Sequence, residues 1–211
     1  MKILDAVAGW VLARFDSWRS LAVFPLLWTY RLTDQQSVVD ADCERWADLL
    51  WMGPQQRFRL LGRFLFAFPE FRSVYYHRLA SGNPAGVLAG RLCRLAWKGV
   101  PGLDLSGTPI GPGLFISHGQ GTILSAERIG ANLQVHQGVT IGWDYRGDRR
   151  PIVGDDVFIG AGAKVLGAIT IGDGARIGAN AVVVCDVPPH ATAVGIPARV
   201  VEAAASVDGA A

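Results

Sequence analysis

The sequence has no long hydrophobic run, although half of its 211 residues are hydrophobic and its mean hydropathy is +0.27. Its most apolar stretch, Ser20 to Tyr30, is bounded by Arg19 and Arg31, well short of the ~20 apolar residues a spanning helix needs. Asp5, Arg14 and Asp16 interrupt the N-terminal stretch too early for a secretory signal, so a cytoplasmic protein is expected. Cysteine is scarce: Cys43, Cys93 and Cys185 stand far apart, with no CxxC pair and no histidine at ligand spacing beside them. That excludes a disulfide framework and predicts buried free thiols, with no metal expected. No nucleic-acid-binding motif is present. Charge nearly cancels at +2, but residues 1–100 carry 13 Lys/Arg against 8 Asp/Glu and the remainder 7 against 10. Arg57, Arg59 and Arg63, set among Phe58, Leu60, Leu61, Phe64 and Leu65, permit peripheral contact with an acidic membrane surface. A solvated arginine edge on a bundle helix explains them equally simply.

What is present divides in two. Residues 1–100 carry helical periodicity, with apolar positions three or four apart at Val7, Trp10, Val11, Phe15 and Trp18, and at Trp46, Leu49, Leu50 and Met52. Pro54 begins a segment running to about Phe68, and Pro69-Glu70 opens the next, through Leu79, with proline suited to a first helical turn. Ser81-Gly-Asn-Pro84 breaks it, and a last helix is expected from Gly86 to Trp97. Six of the seven tryptophans lie in this half, which assigns them to helix packing and subunit contact. Residues 201–211 read as a flexible tail.

From residue 101 to 200 the period changes to six. An aliphatic residue, usually followed by glycine, recurs at Ile129-Gly130, Val135, Ile141-Gly142, Val153-Gly154, Ile159-Gly160, Val165, Ile171-Gly172, Ile177-Gly178 and Val183. Such units cannot bury their apolar side alone and stack into a solenoid. Used as a ruler, the period implies one inserted residue after Ile116 and a loop, Trp143 to Arg150, extruded from a corner. One face then starts at Ile116, Val135, Ile159 and Ile177. Two residues on, His118, Gln137, Ala161 and Ala179 are expected to stack as a column: a histidine heading an edge poor in side chains, able to take a thin extended ligand. His136 falls one position off this column and reads as surface or interface; His77 and His190 read as structural or incidental. A zinc site of the carbonic-anhydrase type would need three converging histidines, and the spacing of His118 and His136 does not stack them.

From about Phe68 to Val201 the chain resembles the serine acetyltransferases of the hexapeptide-repeat acyltransferase superfamily. The resemblance rests on Leu103-Asp104-Leu105, His118-Gly-Gln-Gly121, Gly147-Asp-Arg-Arg-Pro151, Ile159-Gly-Ala-Gly-Ala-Lys164 and the ending Val187 to Arg199. It implies an α+β chain, an N-terminal all-α helical domain followed by a C-terminal left-handed parallel β-helix, acting as an acetyl-CoA-dependent O-acetyltransferase. By the same resemblance His118 is the general base and Asp104 its dyad partner, with backbone amides or Gln137 as oxyanion donors. Gln137, Gly142, Trp143, Gly160, Ala161, Lys164, Gly178, Ala179 and Arg199 are implied to bind the cofactor, and Ser117, Arg149 and Arg150 the acceptor. A homotrimer with sites between neighbouring prisms is implied, the fuller assembly being a dimer of trimers. Two positions depart from the family. Ser117 stands where an aspartate precedes the histidine and meets the substrate ammonium, and Arg150 stands where the loop has histidine. Both make the site less suited to an ammonium group, so a sugar hydroxyl is a second candidate acceptor beside L-serine. A non-catalytic scaffold retaining only the fold is the remaining alternative.

Overall fold

The computed structural model describes residues 24–53, 57–105, 107–144 and 149–201. The helix expected around Val7 to Trp18, residues 145–148 of the corner loop and the tail beyond Val201 lie outside them. Among the described residues, the first elements are five helices: α1 (Phe24–Leu32), α2 (Gln36–Leu49), α3 (Arg57–Ala67), α4 (Pro69–Ala80) and α5 (Pro84–Ala96). Helix α2 stops at Leu49, where the Leu50 N–H closes on the Trp46 carbonyl and the Trp51 N–H on the Asp48 carbonyl. Leu50 and Met52, expected inside the helix, therefore follow its end while still packing on the core. Helix α5 starts two residues earlier than expected. Asn83 caps it by accepting from the Gly86 N–H at 2.8 Å, and Pro84 fills the first turn.

The helical core forms around Trp46, whose ring lies 4.7 Å from Phe115, 5.2 Å from Phe71, 5.7 Å from Phe68 and 5.9 Å from Phe64. Trp28 and Trp51 are 52% and 83% exposed and do not take part in it. Cys43 and Cys93 are buried free thiols as expected, but Cys185 is exposed. It falls just after Val183, outside the inward positions of the repeat, where a side chain meets solvent.

The chain then winds through short strands that build three parallel sheets. The first face holds β1 (Phe115–Ser117), β4 (Gln134–His136), β7 (Phe158–Ile159) and β10 (Arg176–Ile177). The second holds β2 (Ile123–Leu124), β5 (Thr140–Gly142), β8 (Lys164–Leu166) and β11 (Val182–Val183). The third holds β3 (Arg128–Ile129), β6 (Ile152–Val153) and β9 (Thr170–Ile171). The chain visits the faces in turn, so the strands form a three-sided prism. At its end β12 (Thr192–Gly195) joins the first face and folds back as the antiparallel β13 (Ala198–Val201). Each face sends one aliphatic inward per coil: Ile116, Leu124, Ile129, Val135, Ile141, Val153, Ile159, Val165, Ile171, Ile177 and Val183 are all 0–3% exposed. Small or branched residues four positions on, such as Val139, Ala163, Ala175 and Ala181, fill the corners between them. Glycine follows where the coils crowd: a Cβ on Gly160 would meet the Ala179 nitrogen at 2.7 Å.

Helices and prism are joined by a buried ion pair that no local pattern announces. Arg78 of α4 donates from Nε and Nη2 to Asp42 of α2 at 2.9 and 3.1 Å. The same carboxylate accepts the Gly113 and Leu114 N–H groups at 2.8 and 3.0 Å. Arg78 also donates to the Ile110 and Gly111 carbonyls, and Trp46 Nε1 to the Leu114 carbonyl at 2.8 Å. Burial raises the Asp42 pKa, against the opposing pull of Arg78 and the two amides. Every hydrogen-bonding group left by one partner would be stranded in the interior. Asp42→Ala is therefore expected to lower unfolding free energy by about 3–5 kcal/mol, measured by urea denaturation.

Candidate active site

Strand pairing fixes the coil-to-coil register. Ile116, Val135, Ile159 and Ile177 are successive partners on the first face, as the period predicted, and Ala193 extends the series. The register corrects the column built on it. On the second face Ile123 pairs with Thr140 and Leu124 with Ile141, so the first coil takes eight residues from Ile116 to Leu124 where the next takes six from Val135 to Ile141. The excess is two residues, offset by a later step of five to Ile129, which is why the net shift looks like one. Corner hydrogen bonds locate the surplus. Gly138 N donates to Gln120 O, Gly162 N to Gln137 O and Asn180 N to Ala161 O, at 2.8–2.9 Å. The stacked residues are thus Gln120, Gln137, Ala161 and Ala179, while His118 and Gly119 are extra.

The two extra residues form a bulge that lifts His118 out of the edge. His118 is exposed and takes a left-handed backbone with φ +54°, a region that non-glycine residues seldom enter and that gathers at functional sites. Bulges beside active sites commonly re-aim a side chain in this way. Gly119 fits beneath because a Cβ there would already touch Ile116 and Leu103, each at 3.1 Å. Below the bulge the edge carries little bulk: Gln137 and Ala179 are exposed, Ala161 is half-buried, and Gly160 and Gly178 admit the next coil closely. Lys164 braces this edge, donating from Nζ to the Gly138 carbonyl and, at 3.2 Å, to Thr140 Oγ1. That leaves one ammonium donor for a ligand. Arg199 pairs with Val194 beside Gly195, at the far end of the same edge.

Asp104 comes to the same end of the edge from the coil above. It bridges to Ile123 and exchanges backbone hydrogen bonds with Thr122 and Leu124. Its neighbour Leu103 packs over Gly119, so the segment carrying Asp104 lies against the bulge. Asp104 also lines a cleft of about 790 Å³ across the second face, together with Ile123, Ser125, Thr140, Gly142 and Trp143. Gly142 is buried at its floor and Trp143 exposed at its rim. Arg150 lies over the Trp143 ring at 5.6 Å and reaches Ser125 Oγ at 3.5 Å; Arg149 is exposed beside it.

Within one chain the expected acceptor residues are not brought together. Ser117 stands at the corner between first and second faces, and Arg149 and Arg150 at the corner between second and third. What lies beside Ser117 is His136, its partner in the parallel ladder. The one-position offset had set His136 apart from His118, but the bulge brings the two within electrostatic reach. Burial lowers the His136 pKa, and the charge of His118 lowers it further. Its ring meets Phe158 edge-on at 5.4 Å, and Phe158 in turn carries the Arg176 guanidinium at 4.6 Å. The signal for His136 was available in the pairing of residue 136 with residue 117, but only once the register was known. His77, half-buried between α4 and the first coil, has its pKa lowered to about 4 by burial and by Arg78.

Comparison with known proteins gives this geometry a context. Residues 150–185 match the bacterial transferase hexapeptide family of six repeats. The chain is 41% identical over 143 residues to the serine acetyltransferase of Mycobacterium tuberculosis, the match covering 65% of this chain and 62% of that protein. It therefore spans just under two thirds of that relative's length. With the serine acetyltransferase of Helicobacter pylori strain J99 it is 40% identical over 144 residues, covering 65% of this chain and 84% of the relative. A solved serine acetyltransferase in complex with CoA superposes with a TM-score of 0.61 at 28% identity, over 82% of this chain and 72% of that one. The prism is accordingly a left-handed parallel β-helix.

Two outcomes follow from the geometry. Ala179→Trp places an indole on the bare edge, and it is expected to weaken CoA binding at least about tenfold, the equivalent of ~1.4 kcal/mol, by calorimetric titration with an unchanged circular dichroism spectrum. In an NMR titration His136 should protonate below the ordinary histidine range. In His118→Asn its pKa should rise, because the repelling imidazolium is gone, yet stay low because burial remains.

Proposed function

The chain belongs to the serine acetyltransferase family, and from that premise we propose that it is an acetyl-CoA-dependent O-acetyltransferase whose acceptor is the hydroxyl of L-serine. The observation that carries the proposal is the two-residue bulge presenting His118 at the head of an edge with almost no side chains. A pantetheine arm laid along Ala179, Ala161 and Gln137 delivers its thioester to that imidazole, with Arg199 at the other end for the CoA phosphates. Trp143, Gly142 and Lys164 flank the arm on the second face.

In this mechanism His118 removes the hydroxyl proton as the oxygen attacks the thioester carbonyl, a step the neutral alcohol cannot make efficiently alone. Asp104, presented beside the bulge, holds the imidazole tautomer and stabilises the imidazolium that forms. The tetrahedral oxyanion takes hydrogen bonds from backbone amides of the corner or from the Gln137 amide. Collapse of the intermediate breaks the carbon–sulfur bond, and the departing CoA sulfur takes the proton from His118, which returns the base to its starting state.

Because Ser117 and Arg149 with Arg150 occupy opposite corners of one prism face, a complete acceptor pocket is best served by two prisms side by side. This supports a homotrimer with sites between neighbouring subunits, and the free thiols Cys43 and Cys93 suit a reducing cytoplasm. One observation favours the second acceptor class, a sugar hydroxyl. Where an acid would meet a substrate ammonium, the chain places Ser117 beside His136, an imidazole whose protonation burial and the charge of His118 both disfavour.

The test is acetyl-CoA consumption with L-serine, homoserine and a panel of sugars. Saturable turnover with L-serine supports the first acceptor, saturable turnover with a sugar alone transfers the proposal to the second, and turnover with none overturns it. His118→Ala is expected to lower kcat by about 10²–10⁴-fold while CoA still binds, and Asp104→Asn to lower kcat more than affinity.

A further inference from the structure

We propose that the outer face of α1 and α5 is a docking surface for an anionic membrane. Helix α1 exposes Phe24, Trp28 and Leu32, at 57%, 52% and 38%, spaced four apart on one side. Helix α5, packed against it, exposes Leu88, Leu92 and Leu95 at 61%, 61% and 78%. An open groove of about 520 Å³ runs between them, lined by Phe24, Trp28, Leu32 and Leu92. Folded monomers seldom leave so continuous an apolar strip to water unless something covers it.

Charge indicates which occupant fits. Neither helix contains an acidic residue, and the exposed Arg31, Arg91 and Arg94 accompany the strip, with Lys98 just beyond the end of α5. Arg94 lies over the Tyr76 ring at 5.9 Å. Asp34, two residues beyond the end of α1, accepts the Asn83 N–H at 3.0 Å. Apolar side chains including a tryptophan, bordered by arginines, form the pattern of a helix lying in a bilayer interface: rings and leucines enter the headgroup boundary and guanidinium groups meet lipid phosphates. No helix among the described residues is long and apolar enough to cross a membrane, so the contact is lateral. A second copy meets the same strip less well. A two-fold contact sets identical surfaces against each other, so each strip with its arginines would face a strip whose two helices contain no acid.

Vesicle flotation of the full chain tests this, with phosphatidylcholine vesicles and with vesicles that also contain phosphatidylglycerol. The protein should float with the anionic vesicles, be released by salt, and float poorly with the neutral ones. Trp28→Glu combined with Leu92→Glu should reduce the bound fraction at least about tenfold. Arg91→Glu combined with Arg94→Glu should reduce it on anionic vesicles while leaving neutral-vesicle binding as it was. All four positions are exposed, and acetyl transfer in vesicle-free solution serves as the folding control. Absence of wild-type flotation, or flotation insensitive to both double variants, overturns the proposal. A fall in molar mass by light scattering in Trp28→Glu/Leu92→Glu also overturns it, because the strip is then covered by a second copy.

Discussion

The parallel ladder that keeps one aliphatic pointing inward on each face is the constraint on which the rest of the structure depends. Ile116, Val135, Ile159 and Ile177 stack with no freedom to slip, since a shift by one residue would turn a buried side chain outward and bring its polar neighbour in. A chain held so tightly along its faces can accommodate extra residues only at its corners. It does so twice, with the two residues at His118 and Gly119 and with the long excursion after Gly142. The candidate chemistry lies at those two places. Both are irregularities that a regular prism can hold because the flanking strands stay in register.

The first coil is the least supported by the repeat, since no complete coil lies above it. Its support comes from the helices. Asp42 binds the amides of Gly113 and Leu114, Arg78 binds the carbonyls of Ile110 and Gly111, and Trp46 binds the Leu114 carbonyl. These contacts end two residues before Ile116, so the strand that leads into the bulge is anchored on one side by a buried ion pair and on the other by the ladder. A histidine held in a left-handed conformation needs such surroundings, because its backbone has more favourable alternatives. The helical half thus contributes to the candidate site by fixing where β1 begins.

Much of this was legible in the sequence, for physical reasons that differ from place to place. The six-residue period survives in the text because every coil repeats the same burial requirement, so the first-face register and the loop after Gly142 could be counted directly. The bulge was half legible. Its two extra residues are masked by the short step from Leu124 to Ile129, and only strand pairing separates them. The proximity of His136 to His118 was hidden for the same reason. Asp42 and Arg78 had no signature at all, because partners 36 residues apart with backbone contacts more than 70 residues away leave no local pattern. Lys164 and Cys185 show a further limit: family resemblance suggested a ligand contact for Lys164 and residue type a buried thiol for Cys185, while position on the coil exposes Cys185 and commits two of the Lys164 donors to the edge itself.

The proposed acceptor side differs in character from the proposed CoA side. The edge from Gln137 to Ala179 is proposed to work through absence of bulk, a property fixed by coil packing. The proposed acceptor side depends on few polar groups: Ser117 and His136 at one corner, Arg149 and Arg150 at another. The central claim is that the bare edge carries the CoA arm to the bulge, and a crystal structure of this chain with CoA tests it most directly. The pantetheine arm should run from Arg199 past Ala179, Ala161 and Gln137, with its thiol beside the His118 imidazole. An arm lying elsewhere on the prism, with its thiol away from His118, would contradict the account.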